Sequence, residues 1–96
     1  MESFGTKLKT LRSKQGLLMR QVAAATDVDT SMISKFENGD RLPTREQIEK
    51  LALILKVSEG ELLIQAYSEK IASDLIKEPL AEEIVELVLK KLQLKK

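Results

Sequence analysis

The stretch VAAATDVDTSMISKFENG, residues 22–39, decides the fold, because it holds two short helical patterns separated by a tight turn. Asp27 lies where the chain must turn, and aspartate tolerates the left-handed backbone conformation better than most residues. Asp29 is a good N-cap for a helix over residues 30–38, and Gly39 ends that helix. The stretch therefore predicts two helices set across each other.

The second of these helices has two chemically different faces. Ile33 and Phe36 point inward at helical spacing. The outward face carries small polar residues and one lysine, namely Thr30, Ser31, Ser34 and Lys35.

Further helices are predicted on both sides of this stretch. Ser3 is a candidate cap for a helix in residues 3–15, where Phe4, Leu8 and Leu11 form one face and Gly16 ends the helix. Downstream, capping boxes at Thr44 with Gln47 and at Ser58 with Glu61 predict a fourth helix over 45–55 and a fifth that runs to about Lys77. Pro79 fits the first turn of a sixth helix, and no strand pattern occurs anywhere.

Composition excludes several classes of function. Ninety-six residues make one domain with at most an appendage, and the chain has no Cys and no His. Zinc fingers, thiol nucleophiles and Ser-His or Cys-His catalytic pairs are therefore excluded, and we expect no enzyme, no metal and no cofactor. The absence of a long apolar run and of a targeting signal predicts a cytoplasmic protein that no membrane holds.

Charge is unevenly distributed along the chain. Residues 1–45 hold eight Lys and Arg against five Asp and Glu, whereas residues 46–96 hold eight against ten. A weakly basic first half is compatible with phosphate contacts, although a solvated charged surface explains the bias about as well.

From Phe4 to about Ile64 the sequence resembles the lambda-repressor-like, or Xre-type, helix-turn-helix family. The similarity lies in four segments: FGTKLKTLRSKQGL, QVAAATDV, ISKFENGDRLPT and IEKLALILKVSEGELL. The resemblance implies an all-α, five-helix DNA-binding domain over residues 1–66, with the second and third helices as the DNA-binding pair. It also implies a structural ion pair between Arg12 and Glu37; the alternative is that both are ordinary surface charges.

In such a domain the third helix enters the major groove of double-stranded DNA by its N-terminal end. Thr30, Ser31, Ser34 and Lys35 are then the candidate base contacts. Lys35 can donate to guanine N7 and O6, which makes it the strongest candidate, unless it contacts only phosphate. Candidate phosphate contacts are Arg20, Asn38, Arg41, Thr44 and Arg45.

The sequence departs from the family pattern at two places. Leu18 and Met19 stand where the family often has a Ser or Thr cap followed by a Gln that contacts DNA. Asp40 stands where a basic residue is common. These changes predict modest DNA affinity or a reliance on dimerisation.

Residues 67–96 form a helical extension beyond the family pattern. We expect it to make a homodimer through apolar residues of the last two helices, namely Tyr67, Ile71, Leu80, Ile84, Leu87 and Val88. The alternative is that the last helix folds back onto its own domain.

The sequence therefore predicts a sequence-specific transcriptional regulator, a repressor or small controller protein, bound to a twofold operator. The alternative is an antitoxin-like interaction module whose C-terminal helix binds a partner protein. No second domain is evident that would hold a small-molecule pocket, so we expect no small-molecule ligand.

Overall fold

The computed structural model describes residues 2–95, and within that range the chain forms six helices and no strand. They are α1 (Phe4–Lys14), α2 (Met19–Ala25), α3 (Thr30–Asn38), α4 (Arg45–Leu55), α5 (Glu59–Leu75) and α6 (Ala81–Leu94). The all-α prediction is confirmed. None of these helices combines the length and the apolar character that a membrane crossing requires. The predicted domain (residues 1–66) and the predicted extension (residues 67–96) each include one residue outside the described range, Met1 and Lys96 respectively.

Side chains at the predicted caps begin α1, α3 and α4. The Ser3 hydroxyl accepts the Thr6 N–H at 3.1 Å, and the Asp29 carboxylate accepts the Met32 N–H at 2.8 Å. At α4 the capping box is complete, because Thr44 accepts the Gln47 N–H at 3.2 Å and Gln47 accepts the Thr44 N–H at 2.9 Å. Each cap satisfies a backbone donor that has no partner inside its helix.

The starts of α2 and α5 each have only half of a capping box, which was expected for α2 but not for α5. Leu18 cannot cap α2, but the Gln21 side chain accepts the Leu18 N–H at 2.7 Å, which supplies half of a capping box. The predicted capping box at Ser58 is only half right. Ser58 accepts the Glu61 N–H at 3.3 Å, whereas the Glu61 carboxylate pairs with Lys7 of α1 at 2.7 Å.

The boundaries of the junction between α5 and α6 also differ from the predicted ones. α5 continues unbroken across position 66 and ends at Leu75, two residues before the predicted end. Pro79 precedes the Leu80 N-cap of α6 instead of lying in its first turn. The Leu80 N–H is satisfied by the Glu78 carboxylate at 2.8 Å.

The core lies among the first five helices. Each of these five helices contributes fully buried apolar side chains, namely Phe4, Leu8, Val22, Ile33, Phe36, Ile48, Leu51, Leu55 and Leu62. α6 has no buried residue. The chain therefore consists of a packed five-helix unit and a sixth helix that this unit does not cover.

The turn between α2 and α3 is fixed by backbone conformation and by α4. Asp27 adopts the left-handed conformation with φ 56°, as its position in the sequence predicted. Its carboxylate accepts a hydrogen bond from Lys50 of α4 at 2.9 Å, and this bond raises the pKa of the Lys50 ammonium. The turn is thereby tied to the next helix.

Gly5 lets the N-terminal end of α1 touch the end of α3. A Cβ at position 5 would lie 2.4 Å from the Glu37 carbonyl oxygen and 2.7 Å from the Phe36 carbonyl oxygen. Real Cβ atoms essentially never approach backbone that closely. Only glycine therefore permits this packing of α1 on α3.

Arg12 and Glu37 join the same two helices a few residues away. The Arg12 guanidinium donates to both carboxylate oxygens of Glu37, with Nε–Oε2 at 2.6 Å and Nη2–Oε1 at 3.1 Å. Its Nη1 donates to the Leu17 carbonyl at 2.9 Å, which adds the link between α1 and α2. The hydrogen bond to Glu37 raises the pKa of Arg12, so this guanidinium stays charged.

The ion pair is largely desolvated. The side chain of Glu37 is 3% exposed and that of Arg12 is 13% exposed. Two-pronged geometry and low exposure distinguish it from the surface pairs that contribute little. Removing one partner would leave a buried charge without compensation.

Replacing Gly5 with alanine is expected to cost about 1–3 kcal/mol of the free energy of unfolding, because the clashing atoms belong to the backbone. Gly60 is the matched control, since it also occupies the second position of a helix. A Cβ there would meet only the Ser58 hydroxyl at 3.6 Å. Gly60→Ala should therefore gain up to about 1 kcal/mol. Urea unfolding measures both, and effects of the same sign would contradict the close approach at Gly5.

Replacing Glu37 with alanine is expected to cost about 3 kcal/mol, the lower end of the range for a broken buried pair, because Arg12 keeps some contact with water. The control is Lys7→Ala, which breaks an ion pair whose Glu61 side chain is 53% exposed and should cost less than about 1 kcal/mol. Urea unfolding again gives both values. Equal costs in the two variants would show that the Arg12–Glu37 pair is not special.

Candidate nucleic-acid interface

The N-terminal two thirds of α3 present polar side chains to the outside. Thr30, Ser31 and Lys35 are exposed and Ser34 is half-buried, whereas Ile33 is fully buried. One face of α3 therefore packs in the core, and the opposite polar face is not covered by any other described residue.

Ser31 is held by the cap of its own helix. Its hydroxyl donates to the Asp29 carboxylate at 2.7 Å, and the same oxygen of Asp29 accepts the Met32 N–H. Both hydrogen bonds lower the pKa of the Asp29 carboxyl group, and the bond from Ser31 has the larger effect. Because the Ser31 proton is committed, its oxygen remains available as an acceptor.

Ser34 is also engaged inside the helix. Its hydroxyl oxygen accepts a hydrogen bond from the Asn38 amide at 3.3 Å. No side-chain hydrogen bond within residues 2–95 engages Thr30 or Lys35. Of the four predicted base contacts, Thr30 and Lys35 are therefore the ones whose polar atoms are unoccupied.

The predicted phosphate contacts lie at the starts of α2 and α4, at the end of α3 and in the loop after α3. Arg20 is the second residue of α2, and Arg45 is the first residue of α4. Asn38, Arg41 and Thr44 occupy the end of α3 and the following loop, and all five side chains are exposed. Helix starts also offer free backbone N–H groups, which favour anions. Asp40 is exposed in the same loop and adds a negative charge there.

A cavity of about 440 Å³ separates this loop from α5. Its walls are the loop from Gly39 to Thr44 and three residues of α5, Ala66, Tyr67 and Lys70. The structure thereby brings the predicted phosphate contacts Arg41 and Thr44 close to Tyr67, a predicted dimer residue. The sequence could not indicate this proximity, because loop and helix are more than twenty residues apart.

The predicted dimer residues are all exposed in the single chain. Tyr67 and Ile71 lie in the C-terminal half of α5. Leu80 precedes α6, and the other three residues, Ile84, Leu87 and Val88, lie in α6. An open groove of about 790 Å³ runs between the two helices and is lined by Ile71, Leu75 and Val85 among others. No side chain of α6 is buried in the described part of the chain, so α6 is not part of the core.

No group of three or more acidic side chains in the described part of the chain is placed to hold a metal ion.

The comparison with known families identifies the matched part of the chain. The helix-turn-helix family HTH_3 matches residues 8–62, which extend from the middle of α1 into the start of α5. This match covers more than half of the chain and includes every predicted DNA contact.

Two regulators of Bacillus subtilis strain 168 are similar in sequence. The HTH-type transcriptional repressor RghR is 40% identical over 73 residues, covering 74% of this chain and 54% of that protein. The uncharacterized HTH-type transcriptional regulator RghRB is 39% identical over 77 residues, covering 74% of this chain and 55% of that protein. The chain thus spans about half the length of these relatives.

Solved structures share the fold. The clp gene regulator ClgR of C. glutamicum superposes with a TM-score of 0.57 at 26% identity, covering 69% of this chain and 86% of that one. The complex of the SinR and SinI proteins gives a TM-score of 0.58 at 21% identity, covering 96% of both chains. With the family match and the arrangement of α2 and α3, these findings show that the chain belongs to the lambda-repressor-like, Xre-type helix-turn-helix family.

Proposed function

We propose that the protein is a sequence-specific DNA-binding transcriptional regulator that inserts α3 into the major groove of a twofold operator. The observation that carries the proposal is the division of α3. Its C-terminal end is fixed to α1 through Gly5 and the Arg12–Glu37 pair, and its N-terminal end is polar and uncovered. A helix held in this way can present side chains to base edges without losing its orientation.

Lys35 is the principal base contact in this proposal. Its ammonium has no side-chain partner among the described residues and can donate to guanine N7 or O6. Ser31 complements it, because an oxygen whose proton is committed to Asp29 accepts hydrogen bonds from adenine N6 or cytosine N4. Thr30 can contact a thymine methyl group.

Phosphate contacts would set the position of the domain on the duplex. Arg20, Arg41 and Arg45 are exposed cations beside the starts of α2 and α4 or in the loop after α3. Leu18 and Met19 leave the start of α2 without the polar side chains that the family often has there. The arginines and a second copy of the domain would then supply most of the affinity.

Replacing Lys35 with alanine is expected to weaken binding to the operator by about 1–3 kcal/mol and to relax sequence preference at one base pair of each half-site. The operator is obtained by selecting sites from random duplexes with the unmodified protein. The matched control is Lys77→Ala, which removes a lysine from the junction between α5 and α6 and should leave binding unchanged. If no sequence is selected, or if both variants bind alike, the role of Lys35 in the major groove is wrong.

Arg41 tests the phosphate contacts separately. Its replacement with alanine should weaken binding to all sequences similarly and should reduce the slope of log affinity against log salt by about 1. A change in sequence preference instead would show that Arg41 contacts bases.

The twofold arrangement is supported by the exposed apolar surface of α5 and α6. Domains of this kind bind two half-sites about one helical turn, roughly 34 Å, apart. A large apolar helix face in water is unfavourable, so a stable association through residues 67–96 would cover it. Dimerisation would also compensate for the weak start of α2 by doubling the contacts.

Replacing Leu87 with glutamate is expected to convert the dimer to a monomer and to weaken operator binding, because the new charge lies on the apolar face of α6. Light scattering gives the mass and a gel shift gives the affinity. Leu53→Glu is the control, since Leu53 of α4 is 80% exposed and lies outside this extension. A Leu87→Glu protein that stays dimeric would contradict the role assigned to α6.

A second candidate function rests on the same surface. The open groove between α5 and α6 would suit an interaction module whose C-terminal helix binds a partner protein, as antitoxin-like proteins do. A Lys35→Ala protein that regulates its target normally would favour this alternative.

A further inference from the structure

α6 is apolar around more than half of its circumference. At 100° per residue its apolar side chains span roughly 220°, from Leu94 round to Leu89. One side of this arc, which includes Ala81 and Val85, lines the groove with α5. The other side faces away from the groove, and we call it the outer stripe: Leu80, Ile84, Leu87, Lys91 and Leu94.

Leucines occupy equivalent positions of the outer stripe on the two sides of Leu87. Leu80 and Leu94 each lie seven residues from it, and both are exposed. One charge interrupts the stripe, since Lys91 lies four residues after Leu87. No ion pair between residues 2 and 95 uses this lysine, and Glu83 lies four residues before Leu87.

Charge along α6 is polarised. Glu82, Glu83 and Glu86 lie in the first half, whereas Lys90 and Lys91 lie in the second half. A parallel pair of these helices would place carboxylates beside carboxylates and ammonium groups beside ammonium groups. An antiparallel pair places each acidic half beside a basic half and also opposes the two helix dipoles favourably.

We propose that α6 pairs in antiparallel orientation with α6 of a second copy of the chain, in register about Leu87. In this register Leu80 lies opposite Leu94 of the second copy, and Glu83 lies opposite Lys91 of the second copy. Lys91 thereby gains the carboxylate that it lacks in the single chain. The proposal rests on the dimer proposed above and adds its orientation and register.

Because the chain contains no cysteine, single cysteines can report this geometry. A disulfide requires Cα atoms within about 7 Å. In the antiparallel register, position 87 meets itself, whereas positions 80 or 94 of the two copies lie about 21 Å from themselves. Under mild oxidation Leu87→Cys should crosslink, Leu80→Cys and Leu94→Cys should not, and an equimolar mixture of these two should form a mixed disulfide.

The control for random collision is Leu53→Cys on α4, which should stay uncrosslinked on a non-reducing gel. Crosslinking of Leu80→Cys and Leu94→Cys with themselves would indicate a parallel pair and would overturn the antiparallel proposal. Light scattering of the reduced proteins tests the proposed dimer separately from its antiparallel register. A monomeric mass would overturn both the dimer and the register. A dimer that gives no crosslink at any of the three α6 positions would place the interface elsewhere.

Charge exchange provides a second test that needs no oxidation. Glu83→Lys and Lys91→Glu should each raise the dimer dissociation constant about tenfold, since each variant creates two like-charge contacts. The double variant restores opposite charges in the antiparallel register and should dimerise nearly as well as the original chain. Additive weakening in the double variant would contradict the Glu83–Lys91 contact.

Discussion

The end of α3 lies directly against α1, and the rest of the structure depends on this contact. Gly5 brings the α1 backbone so close to the carbonyls of Phe36 and Glu37 that no side chain fits between them. Beside it, Arg12 binds both oxygens of the Glu37 carboxylate in a nearly dry environment. One steric and one electrostatic contact thus act on the same turn of α3. They leave the polar residues in the first two turns of that helix uncovered, as the proposed DNA contact requires.

α5 reinforces this arrangement from the opposite side of α1. Glu69 accepts the Phe4 N–H at 3.0 Å, Gln65 donates to the Glu2 carbonyl at 3.0 Å, and Glu61 pairs with Lys7. The start of α1 is therefore held between the core and the helix that continues into the proposed dimerisation segment.

Local chemistry made most of the helices predictable. Ser3, Asp29 and Thr44 were identifiable as caps because a cap acts on an N–H only a few residues away, and Asp27 and Gly39 marked turns for the same local reason. Contacts between distant segments were not predictable. Glu61 looked like half of a capping box but pairs with Lys7, and nothing near Gly5 in sequence revealed the carbonyls it meets. A glycine inside the first turn of a helix, without a turn to explain it, was the only available signal. The position of α6 was not predictable either, because none of its described residues is buried in the core.

An NMR titration of the uniformly ¹⁵N-labelled full chain with its selected operator duplex tests the proposed role of α3 most directly. We expect the largest amide shifts in residues 30–35 and 41–45, at the exposed end of α3 and in the loop that follows it. Amides of α1 around Gly5 and Arg12 should move little, because that end of the unit is already fixed. Saturable binding with the largest shifts in α6, or no saturable shifts in α3, would contradict the claim that α3 is the DNA-contacting element.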